Sequence, residues 1–531
     1  MGGKILTLDD QSTEVEALAV RDGKILFTGS EKQSRRFSGP GTEVFELDGR
    51  TLIPGLIDSH IHAIRAGLTY TDEVGWYDVK SLDEGLAALR ARAAVTPPGE
   101  WIIVAGGWVK EQLQEGRAPT SAELDAVSSE HPIYIQHQYD LIVLNSTGMD
   151  AMGIAGDITD PSNGTYERDA DGRLSGRITG ALPLFFEMHG RLPKPSFEQQ
   201  VEGTKAFMSE LNRVGLTGVI DPGGGGLFPH SYRALYKVWQ DDQLTQRVRY
   251  QVSLQRRGNE LEDIKEWSNY QTMGHGDDML RFNGFGEVVI WGMHDGGAIG
   301  IRFDAAEQAR SDLYDAAMFL AERHVTLRIH AHHDHSAGQI LDIFERVNDE
   351  HPIGELRWLI DHGEDFSEAT LRRMKKLGMG WGVQNRLYFK GDEYRRIMGP
   401  DIAGRAPALR TGLEMGLVIA AGTDSHRVAP YNPFVALEWF VTGKSISGTR
   451  TRTTEQLLTR EEALRMYTSG SAWVSFDEAG LGSLEMGKTA DLVVLSDDYM
   501  TIAEDDISEI VSLLTVVDGE VVYSAAPFAG T

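Results

Sequence analysis

The sequence predicts an α/β protein: a (β/α)8 TIM-type barrel, a small composite β domain made from both termini, and an insertion subdomain. Three observations predict it. Apolar strand-like runs alternate with helix-length amphipathic segments through the central chain, both ends are β-rich and punctuated by turns, and residues from about 70 to 200 break the central rhythm.

Residues 1 to about 53 read as short strands: "KILTL", then "EALAVRDGKILFTG" and "TEVFELDGRTLIP", each of the last two with an Asp-Gly hairpin signal. "ADLVVLSDDY" (490–499) and "LLTVVDGEVVYS" (513–524) have the same character. Neither end can enclose a core alone, and unpaired strand edges are costly, so 1–53 and 478–531 are expected to pair into one β domain. Between them come "LTGVID" (216–221), "VTLRIHAH" (325–332), "LRWLIDHG" (356–363) and "GLVIAAGTDS" (416–425). The last three precede the helix-like "SAGQILDIFERVNDE", "SEATLRRMKKLG" and "NPFVALEWFVTG". A long series of such units favours a parallel barrel, assigned to 54–70 and 200–477. Residues 71–199, turn-rich as in "DPSNGTYERDADGRLSG" (160–176), read as an insertion over the active-site face.

The 531 residues carry a formal net charge of −28, which argues against nucleic-acid or anionic-membrane partners. The short basic run "LRRMKKLG" (371–378) reads as the solvated side of a helix. With no cysteine, thiolate metal sites, disulfides and a cysteine nucleophile are excluded. No apolar signal core or membrane-spanning run is visible, so a cytoplasmic protein is expected.

In "GLIDSHIHAI" (55–64) a strand-like run ends in Asp58, His60 and His62. Strand alternation puts His60 and His62 on one face, with Ile57 and Ile61 directed away into packing. Two such imidazoles can grip one cation at about 2.0–2.1 Å per bond. Later runs end the same way, supplying His330 and its neighbours His332, His333 and His335, then His362, then Asp424. Four strands delivering ligand-type residues at their C-terminal ends, where barrel enzymes place active sites, point to a metal centre. His332 shares strand parity with His330, whereas His333 and His335 read as helix-start residues.

The pattern resembles the amidohydrolase superfamily, specifically its amidohydrolase-3 (YtcJ-like) branch of metal-dependent hydrolases, over nearly the whole chain. "LIPGLIDSHIH", "GGWVKEQLQEGRAPTSAELDAVSSEHPIYI", "GLTGVIDPGG", "LTREEALRMYTSGSAW", "GSLEMGKTADLVVLS" and "TVVDGEVVY" carry the likeness. The resemblance implies His60, His62, His330, His362 and Asp424 as metal ligands and Asp424 as catalytic acid; Asp58, sharing strand parity with His60, is read as a residue steadying a ligand. One departure falls on the fourth strand. Where the family commonly has a carbamylated lysine bridging two metals, "NGFGEVVIWG" offers Glu287. Its carboxylate has the charge and two oxygens of a carbamate on a shorter stem, and three roles are open to it: bridging two metals, binding one, or holding a histidine. Other departures, Tyr139 and Asp140 for a Gly-His pair and Gly180 for a Glu, imply a changed pocket. Trp108, Asp140 and His332 are the candidate substrate contacts.

The resemblance implies one or two divalent cations, zinc first with manganese and iron as alternatives, and a water made acidic by them. Asp424 would take its proton as it attacks the carbonyl of an amide, carbamate or related small organic substrate, then pass it to the leaving group as the C–N bond breaks. The rival reading is a lyase, decarboxylase or hydratase in the same pocket; a third is a non-catalytic binding protein. A homodimer is expected for so large a barrel chain.

Overall fold

The computed structural model describes residues 1–530. Its centre is two four-stranded parallel sheets. One runs in the order Leu280–Phe285, Arg247–Val252, Leu216–Asp221, Leu56–Asp58; the other runs Arg328–Ala331, Leu359–His362, Gly380–Gln384, Ile419–Gly422. The sheets meet at both edges. Phe285 bridges Leu327 in parallel and donates its N–H to Thr326 O at 3.0 Å. At the other edge Ser59 N donates to Ala421 O at 2.9 Å and Asp424 N to His60 O at 2.8 Å.

The eight strands are buried on both faces, which is why they read as continuous apolar runs rather than as alternating ones. Helices follow the strands. The helix Phe197–Arg213 starts at a capping box of Ser196 with Gln199, buries Phe207, Met208 and Leu211, and ends before Gly215 at φ +83°. Asn212 then donates to Leu216 O and Thr245 O, satisfying carbonyls at the start of two strands. The helix Asp334–Glu350 has His333 as its N-cap residue and His335 in its first turn, the helix-start places expected of them.

Strands from both termini share one six-stranded sheet in the order Glu14–Val15, Lys4–Leu6, Thr51–Pro54, Leu492–Leu495, Ser512–Val517, Glu520–Ser524. Arg247, on a central strand, ties this sheet to the rest by a buried pair with Asp491 at 2.7 Å. The hairpin Ala17–Arg21/Lys24–Gly29 turns at Asp22-Gly23, both at positive φ as a two-residue turn requires. One expected strand is absent: 43–47 joins no ladder and is held by single bonds such as Leu47 N to Met1 O.

Residues 71–199 contain an ordered sheet, Gly164–Arg168, Leu174–Gly180, Leu141–Leu144, Ile133–His137, Ile102–Val104, with apolar clusters on both faces. It joins the central strands just beyond Ile419–Gly422. Gly107 N donates to Arg427 O, Arg427 Nη1 to Ala105 O, and Gln138 Nε2 to Val428 O. No helix is long and apolar enough to cross a membrane among the described residues.

Candidate metal centre

The C-terminal ends of the central strands bring five of the expected residues around the sixth, Glu287. This carboxylate sits two residues past its strand and lies 3.5 Å from each of His60 Nε2, His62 Nε2, His330 Nδ1 and His362 Nε2. Asp424 completes the ring, 3.1 Å from His62 Nε2 and 3.7 Å from His60 Nε2. Three overlapping triads place their donor atoms within 4.8 Å of one another: His60, His62 and Asp424; His60, Glu287 and His362; His330, His332 and His362.

Two of these residues reach the centre because the backbone leaves its strand. His362 has φ +74° and Asp424 φ +57°, a left-handed conformation uncommon for residues with a Cβ and typical of functional sites. In the strand Leu359–His362, Asp361 also faces the centre, and the turn at His362 lets two consecutive side chains do so. Ile57 and Ile61 are directed away into packing as expected, although simple strand alternation is not what places them. The first strand stops at Asp58, so alternation does not carry on to Ile61. Ile57 packs with Ile220, Leu359 and Ala420, while Ile61 lies in the main core.

Each ring is oriented by a partner on its other nitrogen. His62 Nδ1 is 2.6 Å from Gly223 O and so carries its proton there, freeing Nε2. His60 Nδ1 lies 3.2 Å from Asp361 Oδ1, and Arg328, wholly buried, donates to both Asp361 oxygens and to Ser59 O. His330 Nε2 lies 3.1 Å from Asp295 Oδ1. Asp58 steadies the tips of two strands, accepting from His60 N at 2.9 Å and from Thr423 Oγ1 at 2.7 Å.

The centre is built for positive charge. Burial alone would raise the Glu287 carboxyl, but the surrounding His60, His330, His362 and His62 rings hold it well below the usual carboxylate range. Burial would lower His330, yet its contact with Asp295 and the nearby Glu287 carboxylate carry it up to about 10. A field that favours a proton on an inward imidazole equally favours a metal cation in its place. The donor atoms fit that occupant: His60 Nε2, Glu287 Oε2, His330 Nδ1 and His362 Nε2 are buried with no hydrogen-bond partner. Such atoms are costly unless something binds them.

The candidate substrate contacts divide. His332 is buried, stacked on the His362 ring at 4.2 Å, with Nδ1 2.7 Å from Glu364. Trp108 is fully buried in an apolar cluster against the sheet of residues 102–180, its indole N–H donating to Gln136 O and its ring against Trp76 and His137. A Trp closing an apolar run packs for its area, as this one does. Asp140 is half exposed and paired with His137 at 2.5 Å and Lys390 at 3.6 Å. Reading the sequence alone missed Asp295, Asp361 and Arg328. Asp361 stood in the quoted "LIDHG" beside His362, and Arg328 two residues before His330.

A sequence model described as the amidohydrolase family matches residues 43–523. The chain is 25% identical over 545 residues to the N-substituted formamide deformylase of Arthrobacter pascens, spanning 98% of this chain and 97% of that one. It is 24% identical to the putative amidohydrolase YtcJ of Bacillus subtilis, spanning 98% of each. Among solved structures, an uncharacterized metal-dependent hydrolase from Pyrococcus horikoshii superposes with a TM-score of 0.68 at 20% identity, over 95% of this chain and 98% of that one. Atrazine chlorohydrolase TrzN from Arthrobacter aurescens, complexed with zinc, gives 0.55 at 16% identity over 99% and 95%.

Proposed function

The chain belongs to the amidohydrolase family, and from that premise we propose that it is a metal-dependent hydrolase of a C–N bond (amide, carbamate or related) in a small organic substrate. One observation carries the reading: four imidazoles converge on Glu287 with their facing nitrogens otherwise unpartnered or aimed at Asp424. We infer that the two central sheets close into one (β/α)8 barrel, the bonds at both edges supporting closure. The proposed division is a composite β domain (1–53, 478–531), the barrel (54–70, 200–477) and the insertion (71–199).

The proposed ligands are His60, His62, Glu287, His330, His362 and Asp424. Divalent cations held there supply Lewis-acid polarisation and bring the pKa of a water toward about 7. Zinc fits an imidazole-rich, carboxylate-containing set, and it is the metal bound in the TrzN structure.

Asp424 is ionised at neutral pH: burial would raise its carboxyl, but the His62 contact and the His60 charge hold it below its ordinary value. It therefore accepts the proton of the attacking water and returns it to the departing nitrogen. Asp361, held in place by Arg328, keeps the His60 proton on Nδ1 so that Nε2 presents its lone pair. Asp295 does the same for His330. His332, which burial and Arg386 hold well below the ordinary imidazole value, stays neutral and is proposed as a substrate contact.

A cytoplasmic homodimer acting on a small molecule completes the proposal. The test is turnover of an amide panel before and after metal stripping, with amine and carbon dioxide release read separately. Metal-restored amine release supports hydrolysis; carbon dioxide release without an amine product overturns it in favour of a decarboxylase.

A further inference from the structure

A cavity of about 660 Å³ lies beside the metal centre, between the insertion and the loops that follow the second, third and fourth central strands. Its volume suits a small organic ligand. Its walls continue the ligand-bearing segments: Arg65 lies three residues past His62, Trp291 four past Glu287, and Arg427 three past Asp424. Gly224, next to the lining Gly225, links the cavity to the centre. A side chain there would begin 2.9 Å from His62 Nδ1 and 3.5 Å from Arg65 Nη1, so this guanidinium and the His62 ring flank the same glycine.

The wall's charge is opposite to that of the molecule. In a chain of net charge −28, four cations, Arg65, Lys194, Arg257 and Arg427, line this one cavity against a single acid, Glu187. Glu187 is held by Arg191 at 2.6 Å. None of the four cations has a carboxylate oxygen within 4.0 Å among the described residues.

Arg427 is the sharpest case. Only 4% exposed, it donates to Ala105 O at 3.2 Å and faces His189 Nε2 at 2.8 Å, both neutral acceptors. His189 is kept uncharged by burial and by Arg427 itself. Glu73, the acid whose charge reaches Arg427, is engaged by Thr69 at 2.5 Å and His426 at 3.7 Å. Arg65 Nε and the hydroxyl of Tyr139, on the same wall, are buried without any partner. A buried guanidinium with no carboxylate in direct contact keeps donors free for an anion, and one supplied by a ligand would pair with it directly. The remaining wall includes the aromatic rings of Phe186, Phe228 and Trp291.

We propose that the substrate is an amide or carbamate whose aromatic or large aliphatic body carries a carboxylate or similar anion, with the anion seated on Arg65 and Arg427. This rests on the hydrolase reading above. It narrows the substrate to N-acyl amino acids and related acidic amides, and it gives the positive wall of an acidic protein a function.

The test separates the two readings. Metal-loaded protein is titrated calorimetrically with 3-phenylpropanoate and with its neutral carboxamide, and is assayed on N-acetylphenylalanine and N-acetylphenylalaninamide. The acid is expected to bind about tenfold or more tighter than the amide, the usual scale for hydrogen bonds to a charged partner. Arg65→Met and Arg427→Met are expected to bring that ratio close to one, with Arg65→Lys restoring part of it. Arg427 also ties down the insertion, so Arg65→Met alone decides the matter if Arg427→Met does not fold. Equal affinity for acid and amide, or a ratio unmoved in folded Arg65→Met, overturns the anion seat. Preferential acid binding with no amine release from either amide leaves the seat standing and removes the hydrolase reading. Equal turnover of both amides does the reverse.

Discussion

Replacing Asp361 by asparagine isolates the positioning of His60 from the identity of the ligands. The Asp361 and Arg328 side chains are both fully buried, joined by two hydrogen bonds, and Asp361 Oδ1 lies 3.2 Å from His60 Nδ1. Space dictates the choice of asparagine. The strand passes so close that a Cβ on Gly382 would fall 2.0 Å from Asp361 Oδ1, so only an isostere fits. Asparagine keeps the shape but removes the charge that fixes the His60 proton on Nδ1. Loss of such a partner typically lowers metal affinity by about 10- to 100-fold. It also strands Arg328, and breaking a buried pair from one side costs about 3–5 kcal/mol. The assay is a competition titration of apo-protein with zinc against a chromophoric chelator, run beside thermal melting of the same sample. Lower affinity in a protein that still melts cooperatively is expected. Unchanged affinity with a lowered melting temperature would refute the reasoning, because the pair would then serve the fold alone.

Other substitutions reach different parts of the account. Asp424→Asn should lower kcat/KM by at least about 100-fold, the usual contribution of a positioned proton-transfer group, in a protein with an unchanged circular dichroism spectrum. Apo-protein should regain full activity from divalent metal alone, since a glutamate, unlike a carbamylated lysine, needs no carbon dioxide to serve as a ligand; a strict bicarbonate requirement would count against Glu287 in that role. Burial would raise the Asp477 carboxyl, but Arg249 and Arg281 hold it below its ordinary value. Its folded pKa is thus depressed, so its contribution to stability is complete above the unfolded value of about 3.9 and is lost as pH falls toward the folded one. The stability gap between wild type and Asp477→Asn should therefore be full at pH 7 and shrink below about pH 4 in denaturant titrations.

Much of this architecture was legible because the strands are buried on both faces and therefore stand out as apolar runs. The ligand-type residues were legible because several of those runs end in one. What escaped did so for local reasons. Strand alternation sends Asp361 and His362 to opposite sides, and only the positive φ of His362 brings both to the centre. Asp295 lies in an aperiodic loop, "MHDGGAIG", where nothing local ties it to His330; the tie is tertiary. The sheet of the insertion was hidden because Ile133–His137 and Leu141–Leu144 are short and buried throughout, leaving no alternation to read. Trp108 was drawn toward the pocket by resemblance, whereas its neighbours make it core.

The most direct measurement is metal analysis of the purified protein combined with anomalous scattering from its crystals. Zinc or another divalent metal is expected at one or two equivalents per chain, with anomalous peaks at about 2.0–2.2 Å from His60 Nε2, His62 Nε2 and a Glu287 oxygen. Protein that binds no metal at all, or peaks that avoid Glu287 and the four imidazoles, would contradict the centre on which the proposed chemistry depends.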